Sequence, residues 1–265
     1  MVLGVIGAGN MAKAMIAGIT KSGSLNGEEI IVSNHNLAKA QELSNQYGVK
    51  IDENISVIKN SQVILLAVKP YAINKVLNEY NNLLADKIIV SVAAGIPVCD
   101  MEHVNSNFKI IRMMPNTPVE VCKGVIAYTK GTHINDDDMK LVEKVFSRLG
   151  LFTTVDEDKM NAVSSLTGCS PAYIYQIIEA MSDAGVKMGL SRELALKLSS
   201  KAVEGAGSMV FETNIHPAVL KDNVTSPAGS TIEGVAELEN RGLRGIIISV
   251  LYKAFEKTLL FAKKK

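Results

Sequence analysis

Two stretches of this 265-residue chain carry residue types whose spacing suits chemistry on anionic ligands. The first is Gly7-Ala8-Gly9-Asn10-Met11-Ala12, which fits G-x-G-x-x-G/A directly after a strand-like run and at the opening of a helical pattern. Gly7 allows a tight turn, Gly9 lets backbone N–H groups approach a pyrophosphate, and Ala12 keeps the helix close to the sheet. The chemistry is dinucleotide binding, with Ala8, Asn10 and Met11 in the same loop. The second stretch runs from Leu220 to Gly234 and is dense in small and hydroxyl residues. Ser226 followed by Pro227 predicts a helix start, with Ser as N-cap and Pro at the first helical position. Gly229 stands where a capping box would want Glu or Gln. The N–H groups of Gly229, Ser230 and Thr231 are therefore expected to be open at the positive helix end, where a small carboxylate is favoured. The Ser230 and Thr231 hydroxyls lie ready beside it. An ordinary capped helix explains Ser226 and Pro227 but not a glycine and two hydroxyl residues in succession.

The cofactor type is argued from the second strand. In NAD enzymes an acidic residue at its end holds the ribose hydroxyls. Here the strand ends Ile31-Val32-Ser33-Asn34-His35, with no acid to repel a phosphate. Ser33 and Asn34 can donate hydrogen bonds to a 2′-phosphate, and His35 or Lys39 can add positive charge. NADPH is favoured, while neutral donors still accept NADH. Further cofactor candidates are Asn54, the turn Ala67-Val68-Lys69-Pro70 after the fourth strand, and Ala93 and Ala94, whose small side chains leave room for a flat nicotinamide. Asn116, in the rigid loop Met113 to Pro118, meets cofactor or substrate, or closes a structural Asx-turn between prolines.

These residues need a scaffold. Val2 to Ile6, Ile30 to Ser33, Val63 to Val68, Ile88 to Ala93 and Lys109 to Met113 are continuous apolar runs alternating with helical patterns. Such runs imply a parallel sheet with helices on both faces. After Asp156 the patterns are helical: Val163 to Leu166, Ala172 to Met188, Arg192 to Phe211, Thr231 to Glu239 and Gly242 to Ala262. The expected fold class is α/β, with a Rossmann-like dinucleotide-binding domain over 1–158 and an all-helical dimerisation and substrate domain over 159–265. Ala172 to Met188 and Gly242 to Ala262 carry more apolar coverage than one face of a surface helix requires. About a hundred helical residues cannot bury it alone. A homodimer through these helices is the expected sink, with a higher oligomer left open.

Composition narrows the classes. With 28 basic and 27 acidic residues the formal net charge is +1, which gives no field for nucleic acid or an anionic membrane. Cys99, Cys122 and Cys169 are widely spaced, so neither a disulfide framework nor a metal site is expected. No apolar run reaches the length of a membrane span, and the first residues do not read as a signal peptide, so a cytoplasmic protein is expected. Lys263, Lys264 and Lys265 are read as complementing the dipole of the last helix.

Asp222 to Glu239 closely resembles the signature of pyrroline-5-carboxylate reductases, D-x-V-T-S-P-G-G-T-T-x-x-G-x-x-x-L-E. Gly168 to Tyr173, Met114 to Pro118, Ala67 to Pro70 and Gly7 to Ala12 resemble further motifs of that family in the family's order. The resemblance implies a Rossmann domain followed by an interleaved helical dimerisation domain, and NADPH-dependent reduction of 1-pyrroline-5-carboxylate to L-proline. It implies that Val224, Gly229, Ser230 and Thr231 line the substrate site, that Thr231 is the hydroxyl near the imine nitrogen, and that this loop can serve the partner subunit's cofactor. Two residues depart from the pattern. Ala228 replaces a usual Gly, and Cys169-Ser170 stands where the family commonly has Ser-Gly. A β-hydroxyacid dehydrogenase of similar layout would want a Lys in Gly168 to Tyr173, which has none. A related NADP-dependent imine oxidoreductase and a non-catalytic NADPH-binding dimer are the remaining alternatives.

Overall fold

The computed structural model describes residues 2–263, so Lys264 and Lys265 of the terminal lysine run lie outside the described residues. The strands are β1 (Leu3–Ile6), β2 (Ile30–Ser33), β3 (Lys50–Ile51), β4 (Val63–Leu66), β5 (Ile88–Ser91), β6 (Lys109–Pro115), β7 (Gly124–Lys130) and β8 (Gly150–Thr154). They form one sheet in the order β3-β2-β1-β4-β5-β6-β7-β8. The helices among them are α1 (Asn10–Lys21), α2 (Leu37–Tyr47), α3 (Asn54–Lys59), α4 (Pro70–Glu79), α5 (Asn81–Leu84), α6 (Val98–Glu102) and α7 (Asp136–Phe146).

The apolar runs are buried on both faces, as their composition requires. Along β4, Val63 and Leu65 join one core with Met15, Ile16, Ile19 and Phe146. Ile64 and Leu66 join the opposite core with Ile58, Ile73, Leu77 and Phe108. Pairing is parallel from β3 through β6. The expectation of a parallel sheet needs one amendment, because β6 and β7 pair antiparallel before β7 and β8 pair parallel. The link from Pro115 to Gly124 holds only the 3₁₀ turn Thr117–Val121. It is too short for the crossover a parallel neighbour demands.

The chain divides into two compact units. One comprises the residues up to Cys169 together with the chain from Phe255 onward, and the other spans Ser170–Ala254. Beyond β8 the first unit continues through α8 (Met160–Val163) and a π-helical turn, Ser164–Gly168. The remaining helices are α9 (Ser170–Lys187), α10 (Arg192–Thr213), α11 (Pro217–Asn223), α12 (Ser230–Asn240) and α13 (Leu243–Lys263). The first two cross closely because small residues meet there: a Cβ at Gly185 would lie 2.9 Å from that of Ala195. Ser191 caps α10 by accepting the Leu194 N–H at 3.3 Å. Asn214 closes it in the left-handed conformation that asparagine tolerates.

Candidate active site

The sheet order reverses at β1, whose neighbours are β2 and β4. In open α/β sheets the crevice outside the strand ends at such a reversal is where ligands bind. The glycine loop occupies that position. Gly7 has φ +105, and a Cβ there would lie 2.6 Å from the Ala67 carbonyl oxygen, so the turn excludes any side chain. Its N–H donates to the Ser33 carbonyl at 2.8 Å. Gly9 is different. It is the N-cap of α1 in extended geometry, and a Cβ there would meet nothing within 4 Å. The fold itself has no need of this glycine, and the open space in front of it fits a closely approaching ligand backbone. No side chain caps α1 and no acid stands in its first turn. The leading N–H groups and the positive dipole end therefore remain available to a phosphate. Ala12 is fully buried against the sheet.

The second-strand residues are brought to the same edge, and their polar atoms are engaged by neighbouring groups of the domain. Asn34 accepts the Ala8 N–H on Oδ1 at 3.1 Å and donates from Nδ2 to the Asn36 carbonyl at 2.9 Å. It thereby fastens the glycine loop to the β2–α2 turn. Ser33 is buried and donates to Asn54 Oδ1 at 2.5 Å, and Asn54 donates onward to the Tyr80 hydroxyl at 3.2 Å. The Glu79 hydrogen bond raises the Tyr80 phenol above its ordinary value, against the opposing donation from Asn54. His35 and Lys39 are exposed beside this chain of contacts.

On the other side of β1, Lys69 is exposed and forms the N-cap of α4, with Pro70 fixing the first turn. Ala67 and Val68 precede it, partly covered. Ala93 is buried, Ala94 is exposed, and Gly95 turns with φ +74. A cavity of about 600 Å³ opens here, lined by Pro70, Tyr71, Ala94, Gly95, Ile96 and Ser164 among others. Asn116 lies deeper. Its Oδ1 accepts the Val125 N–H at 2.8 Å and its Nδ2 donates to the Thr167 carbonyl at 3.1 Å. Both arms of this amide bind backbone, joining the start of β7 to the π-helical turn.

In the helical unit the second chemical stretch departs from its expected local structure. Ser226 is not the N-cap. Ser226 to Gly229 form a β-turn closed by the Gly229 N–H on the Ser226 carbonyl at 3.1 Å. Pro227 holds its second position and Ala228, at φ +54, its third, which is the type II pattern. The turn delays the helix: α12 begins at Ser230 with Gly229 as N-cap and no side-chain cap. Its leading N–H groups are those of Ser230, Thr231 and Ile232, while that of Gly229 serves the turn. A Cβ at Gly229 would lie 2.3 Å from Ser226 Oγ, which rotation of that exposed side chain relieves, and 3.2 Å from the Ser226 carbonyl oxygen, a tight but not forbidding approach. Ser230 and Thr231 are exposed, and Val224, 67% exposed, ends the seven-residue helix α11 that periodicity did not predict. His216 caps α11 by accepting the Ala218 N–H at 3.2 Å, and His103 and His133 are exposed.

One charged group escaped the sequence reading. Arg112 stands in mid-strand in β6, 3% exposed, and pairs with Glu157 at 3.0 Å. Its signal was available: a cation inside a run that both faces of a sheet must bury. Among the described residues no group of His, Cys, Asp and Glu is placed to hold a metal ion, and no helix is long and apolar enough to cross a membrane.

Comparison with known proteins agrees with this geometry. Residues 157–259 match the family model described as pyrroline-5-carboxylate reductase dimerisation, and residues 2–95 match one described as NADP oxidoreductase, coenzyme F420-dependent. A pyrroline-5-carboxylate reductase of Arabidopsis thaliana is 39% identical over 97% of this chain and 94% of its own. One from Methanosarcina acetivorans is 35% identical over 99% and 98%. The crystal structure of Plasmodium falciparum pyrroline carboxylate reductase with NADP bound superposes with a TM-score of 0.88 at 30% identity, covering 99% of this chain and 98% of that one. With full-length similarity and both parts of the architecture in place, the chain belongs to the pyrroline-5-carboxylate reductase family of NADP-dependent oxidoreductases.

Proposed function

We propose that this chain reduces 1-pyrroline-5-carboxylate to L-proline with NADPH, the closing step of proline biosynthesis. The observation that carries this is the front of α12: an uncapped helix start, with Ser230 and Thr231 exposed in its first turn, inside the stretch that bears the family signature. NADPH, when bound, supplies the hydride that reduces the C=N bond. The N-terminal domain, residues 1–158, holds it. Backbone groups of Gly7, Ala8, Gly9, Asn10 and Met11 take the pyrophosphate at the positive end of α1. Ser33, Asn34 and Asn54 serve the phosphorylated ribose: Ser33 and Asn54 exchange their mutual hydrogen bond for bonds to the phosphate, while Asn34 keeps the Ala8 N–H and turns its Nδ2 from the Asn36 carbonyl to the ligand. Ala67, Val68, Lys69 and Pro70 border the ligand with their backbone, Ala93 and Ala94 seat the nicotinamide, and Asn116 supports that end.

The helical domain, residues 159–265, binds the substrate. The N–H groups of Ser230, Thr231 and Ile232 orient the carboxylate, and Val224 and Gly229 border the ring. Thr231 hydrogen-bonds the imine nitrogen and relays to it a proton drawn from water as the hydride reduces the ring carbon, so the hydroxyl is left as it began. A cyclic imine is already electrophilic, so orientation supplies much of the acceleration and no His–Asp pair is needed. The working unit is a homodimer through the helices, in a cytoplasmic setting suited to three unpaired thiols. The deciding experiment supplies purified protein with 1-pyrroline-5-carboxylate and either NADPH or NADH and follows the reduced-nicotinamide absorbance. Loss of absorbance with stoichiometric proline, faster with NADPH, is expected. A steady absorbance with both cofactors defeats the assignment.

A further inference from the structure

The buried arginine of β6 has a use that the packing of the sheet does not supply. Arg112 lies opposite Ser91, the last residue of β5, in the strand register. Its neighbours along β6 are Ile110, Ile111, Met113 and Met114, all buried, so an apolar side chain at 112 would satisfy the core. Burying a guanidinium instead incurs a desolvation cost that only good pairing offsets. That pairing is narrow: Nη1 donates to Glu157 Oε1 at 3.0 Å, while Nε and Nη2 find no partner. The same Glu157 oxygen accepts the Val98 N–H at 2.7 Å. Val98 opens α6 immediately after the loop that leaves β5. The loop is therefore fixed at both ends. At its entry the Ala93 N–H reaches Ser91 Oγ at 3.4 Å, beside Arg112, and at its exit Val98 is held by the carboxylate that Arg112 orients. Between these points, Ala94, Gly95 and Ile96 line the cavity at the sheet edge.

We infer that Arg112 and Glu157 are positioning residues for hydride transfer: the guanidinium orients the carboxylate, the carboxylate fixes Val98, and the pinned loop sets the plane of the nicotinamide. This rests on the proposed seat of that ring against Ala93 and Ala94. Neither side chain touches the reacting atoms. Their contribution is geometric, and a displacement of about 1 Å at a reacting ring can cost on the order of 100-fold in rate.

The test compares wild type with Glu157→Gln, which keeps an acceptor for Val98 but loses the charge, and Arg112→Lys, which keeps the charge but loses the planar fork. Per folded molecule, kcat is expected to fall about 10- to 100-fold while KM for 1-pyrroline-5-carboxylate stays within about threefold. The primary isotope effect with C4-deuterated NADPH is expected to rise, because hydride transfer becomes slower than the steps around it. Asp158→Asn, whose carboxylate pairs with exposed Lys159, should match wild type. Unchanged kcat and isotope effect per folded molecule, whatever the loss of thermal stability, overturn the inference. If Glu157→Gln does not fold, the same readings on Glu157→Asp decide, since the shorter arm keeps the charge beside Arg112 but no longer reaches Val98. If wild type itself fails to turn over, the functional reading falls. Fluorescence of bound NADPH then decides the positioning claim: altered nicotinamide emission in the variants supports it, and emission identical to wild type overturns it.

Discussion

The two units of this chain answer the same physical demand in opposite ways. Up to Cys169 the apolar residues close over a sheet, and side chains such as Met15, Ile64, Phe108 and Phe146 are wholly buried. From Ser170 to Ala254 only Ser182, Gly185, Ala195 and Ser199 are buried. Meanwhile Leu196, Leu198, Phe211, Leu238, Ile246 and Ile248 are each at least half exposed. A sheet with helices on both sides makes its own interior. Long helices laid side by side bury only the seam between them. The difference shows what the proposed homodimer would gain, since each large apolar side chain gains about 1.5–3 kcal/mol when covered.

The comparison breaks most readily at those exposed side chains. Phe211→Asp combined with Ile248→Glu introduces four charges per two-fold dimer. We expect a monomer by light scattering and loss of turnover beyond about 100-fold, with NADPH still quenching or enhancing fluorescence at the first unit. A dimer that survives both charges, or an active monomer, removes the reason given for the exposed helices. The next effect is at the chemistry. Thr231→Ala should lower kcat by about 100-fold, the scale of a lost proton-transfer group, and leave NADPH affinity unchanged. Near-normal turnover in this variant takes Thr231 out of the mechanism.

The smallest expected effect on function comes from one of two glycines two residues apart. Gly7→Ala meets the Ala67 carbonyl in a left-handed backbone and should cost about 3 kcal/mol of stability or more, read by denaturant titration. Gly9→Ala meets nothing in the protein, so stability should change by less than about 1 kcal/mol. Its NADPH dissociation constant should nevertheless rise about tenfold, equivalent to about 1.4 kcal/mol. Equal NADPH affinity in Gly9→Ala and wild type would mean that the open space before α1 is not where the pyrophosphate lies.

Sequence reading succeeded where physics is local and strong. The runs at β1, β2, β4, β5 and β6 announced burial on both faces, and the glycine loop was legible because it stands between a strand and a helix. β3 has only two residues, and β8 has no buried position and only Leu151 and Phe152 as large apolar residues, so neither carries a run. The Ser226–Pro227 signal was real but belonged to a turn, and only the left-handed residue after it shows that the helix must wait. Bonds made across 26 and 51 residues engage Asn34 and Asn116, and no local pattern encodes such partners. Arg112 was visible as an anomaly, but its meaning depended on Glu157, 45 residues away.

Ala228 carries a consequence for how this site can drift. Its backbone sits where a Cβ is tolerated at a penalty of about 1–2 kcal/mol, whereas glycine sits there freely. Glycine would return some of that gain by loosening the unfolded chain, by about 0.4–1 kcal/mol, so the two residues are close to interchangeable in stability. A β-branched residue has no such escape. Position 228 is thus a narrow gate in sequence space, open to glycine, alanine and asparagine and shut to valine, isoleucine and threonine, by torsion alone and regardless of what the neighbouring helix front binds.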